Sequence, residues 1–223
     1  MKPGINEYEI QTELEYQFRK NGSRYNAYPA IIASGENACV LHYINNNSFL
    51  NDDEFILIDA GAEYENYASD ITRTYMISNN INSLKKMIYD IVFDAQQKAI
   101  NSVKPNTTLS KIHKIALEVL VQGLKDIKIL KGSKDEIIER NLYKEFYMHG
   151  TSHWLGLDVH DVGSFETPMR EGMVFTCEPG IYILEEELGI RLENDVLVTK
   201  DKPFDLMGNI PIELNEIEEM MNA

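Results

Sequence analysis

The sequence predicts an α+β layered fold, on three observations. Helical periodicity is confined to the first and middle parts of the chain, while short β-branched or aromatic runs fall before and after it. No tandem repeat or low-complexity tract interrupts either kind of segment. Strands and helices alternating throughout would point instead to a doubly wound parallel sheet, and that pattern is not present.

The first helix spans Asn6–Lys20. Asn6 caps it, Glu9 stands three residues on, and Ile10, Leu14 and Phe18 make one apolar stripe. A second helix covers Ser83–Val103, with Leu84, Met87, Ile88, Ile91, Val92 and Ala95 on one face. A third covers Thr108–Ile127, carrying Leu109, Ile112, Ala116, Val119 and Leu120, with Gly123 weakening its end. Strands are expected at Ala30–Ala33, Phe55–Ala60, Tyr67–Ile77, Val174–Cys177, Ile181–Leu184 and Ile190–Thr199, each bounded by Gly, Asn, Asp or Pro. The charged, weakly periodic stretch Lys131–Tyr143 reads as loop or frayed helix.

Bulk properties narrow the class. A length of 223 residues, 43% hydrophobic, is enough to bury a core without disulfides. Acidic residues outnumber basic ones 36 to 21, a net charge of −15 that repels phosphate backbones and excludes nucleic acid as a direct partner. The two cysteines, Cys39 and Cys177, have no metal-site or redox spacing and fit a reducing, cytoplasmic setting. No apolar run approaches the length of about 18 residues that would cross a membrane.

Chemistry-bearing residues gather at strand ends. Asp59 closes the apolar run Phe-Ile-Leu-Ile-Asp, and Asp70 follows the turn Gly-Ala-Glu-Tyr-Glu-Asn, so the two can face each other across a hairpin. A surface hairpin with solvated aspartates explains that pair equally well. The stretch from His149 to Asp161 holds three of the five histidines, His149, His153 and His160, broken by Gly150 and Gly156. That spacing is hard to read as helix packing, and imidazole both ligates metals and trades protons near neutral pH. Glu178, in Cys-Glu-Pro-Gly, and Glu193, in Ile-Arg-Leu-Glu-Asn, each end or interrupt an apolar strand. Four carboxylates and one imidazole can hold two divalent ions, manganese first for an oxygen-rich set, with Co²⁺, Fe²⁺ or Zn²⁺ also accommodated. Cys177 beside Glu178 reads as a small buried side chain rather than a nucleophile, and Trp154 as packing.

The ordered segments Ser34–Tyr43, Ile58–Gly61, Asp70–Thr74, His149–Gly163, Glu178–Gly180 and Ile190–Glu193 resemble the aminopeptidase P branch of the pita-bread metallopeptidases. The resemblance runs over essentially the whole chain. It implies a pita-bread fold: two pseudo-symmetric halves with a curved antiparallel sheet and outer helices. It implies Asp59, Asp70, His153, Glu178 and Glu193 as ligands of two divalent ions, with Asp70 and Glu193 bridging. Glu178 would also handle the proton of a metal-bridging hydroxide that attacks the bond before proline. His42, His149 and His160 match substrate-side histidines, and Arg191 and Tyr182 match positions behind the metals. The expected substrates are small peptides with proline in second position. Prolidase-type dipeptide cleavage and a non-catalytic peptide-binding fragment are the alternatives. On this pattern, residues 1–223 form a single catalytic domain, without the N-terminal domain that family members carry and that supports a homo-oligomer in the full-length protein.

Overall fold

The computed structural model describes residues 1–77 and 82–221. In chain order its elements are α1 (Glu7–Lys20), β1 (Tyr25–Asn26), β2 (Ile31–Ser34), β3 (Phe55–Asp59), β4 (Ala62–Tyr64), β5 (Tyr67–Ala68), β6 (Thr72–Met76), α2 (Ser83–Asn101), α3 (Leu109–Asp126), α4 (Lys134–Glu139), β7 (Val174–Cys177), β8 (Gly180–Ile183), β9 (Leu188–Arg191), β10 (Asn194–Leu197), β11 (Phe204–Asp205) and α5 (Leu214–Met221). Every strand pairing is antiparallel, in the orders β2-β3-β6, β1-β4-β5, β7-β10-β11 and β8-β9 among the described residues.

The capping box that opens α1 is formed: the Asn6 side chain accepts from the helix and Glu9 reaches back to the Asn6 N–H, at 2.9 Å. Ile10 and Leu14 of that helix pack on Ile32, Leu50, Ile56 and Ile77. The opposite face of the same sheet buries Ile31, Ala33 and Leu57 against Tyr182. Covered on both faces, β2 and β3 read as continuous apolar runs rather than alternating ones. Helices α2 and α3 pack on each other and, through Ile88, Val92, Ile112 and Leu120, close the main core over Phe175, Ile190 and Val196. Met87, expected on the apolar stripe of α2, is 43% exposed on its shoulder.

Three expectations need correction. The run Tyr67–Ile77 is two strands, β5 and β6, because the backbone at Ser69–Ile71 leaves the ladder. Ile190–Thr199 likewise divides into β9 and β10, with Leu192 and Glu193 between them. Lys131–Tyr143 contains a capped helix, α4, whose N-terminus is satisfied by the Ser133 hydroxyl accepting from Glu136 N, at 3.1 Å.

The two strand breaks meet. The Glu193 N–H donates to Thr72 O at 3.0 Å, the Asp70 N–H to Asp195 Oδ2 at 3.1 Å, and Arg73 Nη1 to Glu193 O at 2.7 Å. Backbone groups freed from one ladder are thus paired by the other, which stitches the first sheet of the chain to the last.

Candidate metal centre

Each acid sits where a strand stops. Asp59 ends β3 opposite Thr72 of β6, and the tight turn of the β4–β5 hairpin brings the chain back to Asp70. That turn has positive φ at both Glu65 (50°) and Asn66 (71°), the conformation matched to a twisted two-residue hairpin. Gly61 is required beside it: a Cβ there would stand 1.8 Å from Ser69 O. Glu178 follows β7, and Glu193 lies between β9 and β10. His153 is on an irregular segment laid along β7, its N–H donating to Thr176 Oγ1 at 3.1 Å, while the Glu178 N–H donates to Thr151 O at 2.7 Å.

All five side chains line one cavity of about 660 Å³. One oxygen each from Asp70 and Glu193 and a ring nitrogen of His153 lie within 4.8 Å of one another. His153 Nε2 is 3.4 Å from Asp70 Oδ2 and 3.5 Å from Glu178 Oε1. Asp59 and Glu178 stand outside the tightest group. Asp59 Oδ2 accepts from Arg191 Nη2 at 2.6 Å, and Glu178 Oε1 accepts weakly from Thr176 at 3.3 Å. His42, His149 and His160 line the same cavity, as do Arg191 and Trp154. The His160 ring stands edge-on to His153, centroids 4.3 Å apart.

The electrostatics show a site short of positive charge. Burial, then the neighbouring carboxylates, push Glu193 well above the usual carboxylate range. Burial raises Glu178 to about 7 despite the pull of His153 and Arg191. Asp59 is also raised, by burial first, with Arg191 opposing. Burial alone would lower His153, but its hydrogen bond to Asp70 and the charge of Glu178 bring it to about 8. Glu193 Oε2 accepts from the Thr72 hydroxyl at 2.6 Å, yet Oε1 is buried with no partner among the described residues. Stacking acids this way is costly unless cations are held between them. An orphaned buried oxygen within an oxygen-rich set with one imidazole fits divalent metal ions.

Behind the acids runs a directional chain of hydrogen bonds. Arg191 donates from Nη2 to Asp59 and from Nη1 to the Tyr182 hydroxyl at 3.0 Å. His149 Nδ1 is 2.7 Å from Gly150 O, which only accepts, so that nitrogen carries the proton and Nε2 accepts from the Tyr182 hydroxyl at 2.8 Å. Burial, then Arg191, holds His149 down to about 3, so it stays neutral. Tyr182 is pushed up to about 12 by burial.

Sequence reasoning missed three residues here. The Tyr28 hydroxyl stands 2.5 Å from both Asp59 Oδ1 and Asp70 Oδ1. Asp195, raised to about 8 by burial, holds the Asp70 backbone, and Thr72 holds Glu193. Asp195 was legible as one more acid inside an apolar strand; an isolated Tyr or Thr carries no such signal. Cys177 is fully buried with its thiol pushed well above its ordinary value, which removes it as a nucleophile.

The chain belongs to metallopeptidase family M24, whose family model matches residues 1–200. It is 40% identical to the Xaa-Pro aminopeptidase of Haemophilus influenzae over 99% of this chain and 54% of that protein. Identity to the Escherichia coli Xaa-Pro aminopeptidase is 38%, over 100% of this chain and 53% of that protein. The solved structure of Pseudomonas aeruginosa aminopeptidase PepP superposes with a TM-score of 0.96 at 40% identity, covering 100% of this chain and 53% of that one. The fold is therefore the pita-bread fold of aminopeptidase P catalytic domains. The chain spans about half the length of the curated relatives it matches.

Proposed function

We propose that this chain is the catalytic part, a single domain over residues 1–223, of an Xaa-Pro aminopeptidase. It would hydrolyse the bond between the first residue of a peptide and a proline in second position. The observation that carries the reading is the convergence of four carboxylates and one imidazole on a cavity shared with three further histidines. The names of the relatives support it.

Asp59, Asp70, His153, Glu178 and Glu193 would hold two divalent ions, manganese by preference for the oxygen-rich set, with Co²⁺, Fe²⁺ or Zn²⁺ as substitutes. When bound, the ions would supply an activated water and positive charge for the oxyanion formed on the scissile carbonyl. Glu178, which lines the cavity beside His153, would take a proton from the attacking water and return it to the proline nitrogen as the C–N bond breaks. His42, His149 and His160 would orient the peptide from the cavity wall. Arg191 and Tyr182 would keep Asp59 and His149 in place. Proline brings no amide N–H, so its subsite needs shape rather than an acceptor. Trp154, Leu41, Ile44 and Val159 supply apolar wall.

A cytoplasmic location and a homo-oligomer of the full-length protein complete the reading. No helix among the described residues is long and apolar enough to cross a membrane.

The deciding experiment reconstitutes the protein with Mn²⁺ and compares Xaa-Pro-Yaa, Xaa-Pro and Met-Ala-Yaa peptides. Release of Xaa from Xaa-Pro-Yaa is expected. Turnover of Xaa-Pro alone would make it a dipeptidase, and no turnover of any peptide would make it a binding fragment.

A further inference from the structure

Glu7 is the most completely buried carboxylate in the first quarter of the chain, with 0% exposure, and the chemistry above does not use it. Its Oε1 accepts from Ser34 N at 2.8 Å, Ser34 Oγ at 2.7 Å and Asn37 Nδ2 at 3.1 Å. Its Oε2 accepts from Tyr43 Oη and Ser48 N, both at 2.9 Å. Among the described residues it makes no ion pair. The charge is carried instead by five donors and by its place in the first turn of α1, where unpaired helix N–H groups favour an anion.

All five donors come from one stretch, residues 34–48, and that stretch carries His42. His42 and Ile44 line the metal-centre cavity, while Tyr43 between them is buried and turned to Glu7. The stretch is otherwise short of regular structure: after a 3₁₀ turn at Gly35–Cys39, no helix or strand holds residues 40–48. Pinning it at both ends and at Tyr43 constrains where His42 sits on the cavity wall.

We propose that Glu7 is a positioning residue for the substrate side of the site, acting through His42. The proposal rests on the assignment of His42 to peptide orientation. A glutamine at position 7 keeps the shape but replaces one accepting oxygen by an amide N–H₂. That group faces the backbone N–H of Ser34 or of Ser48 and leaves that donor without an acceptor, so part of the clamp opens.

The test uses the metal-loaded chain with Glu7→Gln, His42→Ala and the double variant. Amide hydrogen exchange is expected to rise about 10-fold across residues 40–48 in E7Q and to stay unchanged in α3. KM for an Xaa-Pro-Yaa peptide is expected to rise about 10-fold in E7Q, with kcat and metal content retained. In the H42A background, E7Q is expected to add less than about 2-fold, the mark of a residue that works through another. Unchanged exchange at 40–48, or an E7Q effect of full size without His42, overturns the proposal. An H42A variant with wild-type KM overturns the assignment of His42 itself, and the proposal with it. Should E7Q not fold, Tyr43→Phe removes one of the five bonds and is expected to raise exchange in the same segment; no rise there counts against the clamp.

Discussion

Arg191 Nη2 stands 2.6 Å from Asp59 Oδ2, an ion pair in which both side chains are nearly out of solvent. Among the described residues, Asp59 is the one of the four acids whose carboxylate pairs with a guanidinium. The same guanidinium reaches Tyr182 and, through Nε, Thr72 Oγ1 at 3.2 Å. One cation therefore ties an acid on β3 to the base of β6 and to the histidine loop.

Removing that cation leaves Asp59 buried with only the Tyr28 hydroxyl beside it and no compensating charge. In metal-free protein, Arg191→Met is expected to cost about 3–5 kcal/mol of unfolding free energy in denaturant titrations. Adding Mn²⁺ should recover part of the loss, because a bound cation compensates the same carboxylate. Arg191→Lys is expected to remain impaired, since an ammonium cannot serve Asp59, Tyr182 and Thr72 at once. An R191M protein as stable as wild type under chelation would refute the pairing.

Tyr28 offers a single proton to two carboxylate oxygens at equal distance. Whichever aspartate does not receive it faces the lone pairs of the same oxygen, so the contact is satisfied only while one carboxyl carries a proton or a cation lies nearby. Tyr28→Phe is expected to weaken metal binding about 10–100-fold in calorimetry, with little change in the fold. An unaltered affinity would show that the hydroxyl does not order the two acids.

How much of this was legible beforehand divides along a physical line. The long helices were readable because an apolar stripe at helical spacing is local information, and the capping box at Asn6 and Glu9 marked its own boundary. The four acids stood out because a carboxylate ending an apolar strand is costly without a partner. That pattern left solvated surface acids equally open, and it was the resemblance to the aminopeptidase P branch that singled out these four together with His153. What could not be read were the interruptions at Asp70 and Glu193. Each breaks a run that is good strand by composition, and the break is stable only because Thr72, Arg73 and Asp195 pair the freed backbone from the opposite side. Such compensation is tertiary and leaves no trace in the pattern of either segment. Glu7 is hidden for the same reason. As the first acid of a capped helix it reads as surface charge complementing the helix end, and only the fold of residues 34–48 over it makes it a buried acceptor.

Glu178 lines the cavity with its Oε1 3.5 Å from His153 Nε2. Glu178→Gln keeps size and polarity but cannot shuttle a proton. Turnover of an Xaa-Pro-Yaa peptide is expected to fall at least about 100-fold, within the usual range for a lost general acid–base. Metal content and thermal stability should be measured on the same preparation, so that a lost ligand is not mistaken for a lost proton carrier. Wild-type kcat in a folded, metal-loaded E178Q would end its assigned role.

The metal-free protein should also show an unusual pH dependence, and its sign follows from the shifts. Glu178 rises from 4.5 to about 7, Asp195 from 3.8 to about 8, and His153 from 6.5 to about 8. In each case the protonated form is the one the fold prefers. The stability each contributes is present in full below the unfolded value and is lost as pH climbs through the folded value. His149 works in the other direction: held down to about 3, it favours the neutral ring, and its contribution is lost as pH falls below 6.5. Between pH 4.5 and 6.5 the losses from Glu178 and Asp195 outweigh the one gain from His149, and above 6.5 His153 adds a further loss. Under chelator, the melting temperature is therefore expected to fall from about pH 5 to about pH 8. Metal ions compete with those same protons, so Mn²⁺ should bind more tightly at pH 8 than at pH 6 and release protons on binding. Calorimetry in two buffers of different ionisation enthalpy counts them. A chelated protein whose melting temperature holds level or climbs between about pH 5 and about pH 8 would mean the acids are not crowded as described.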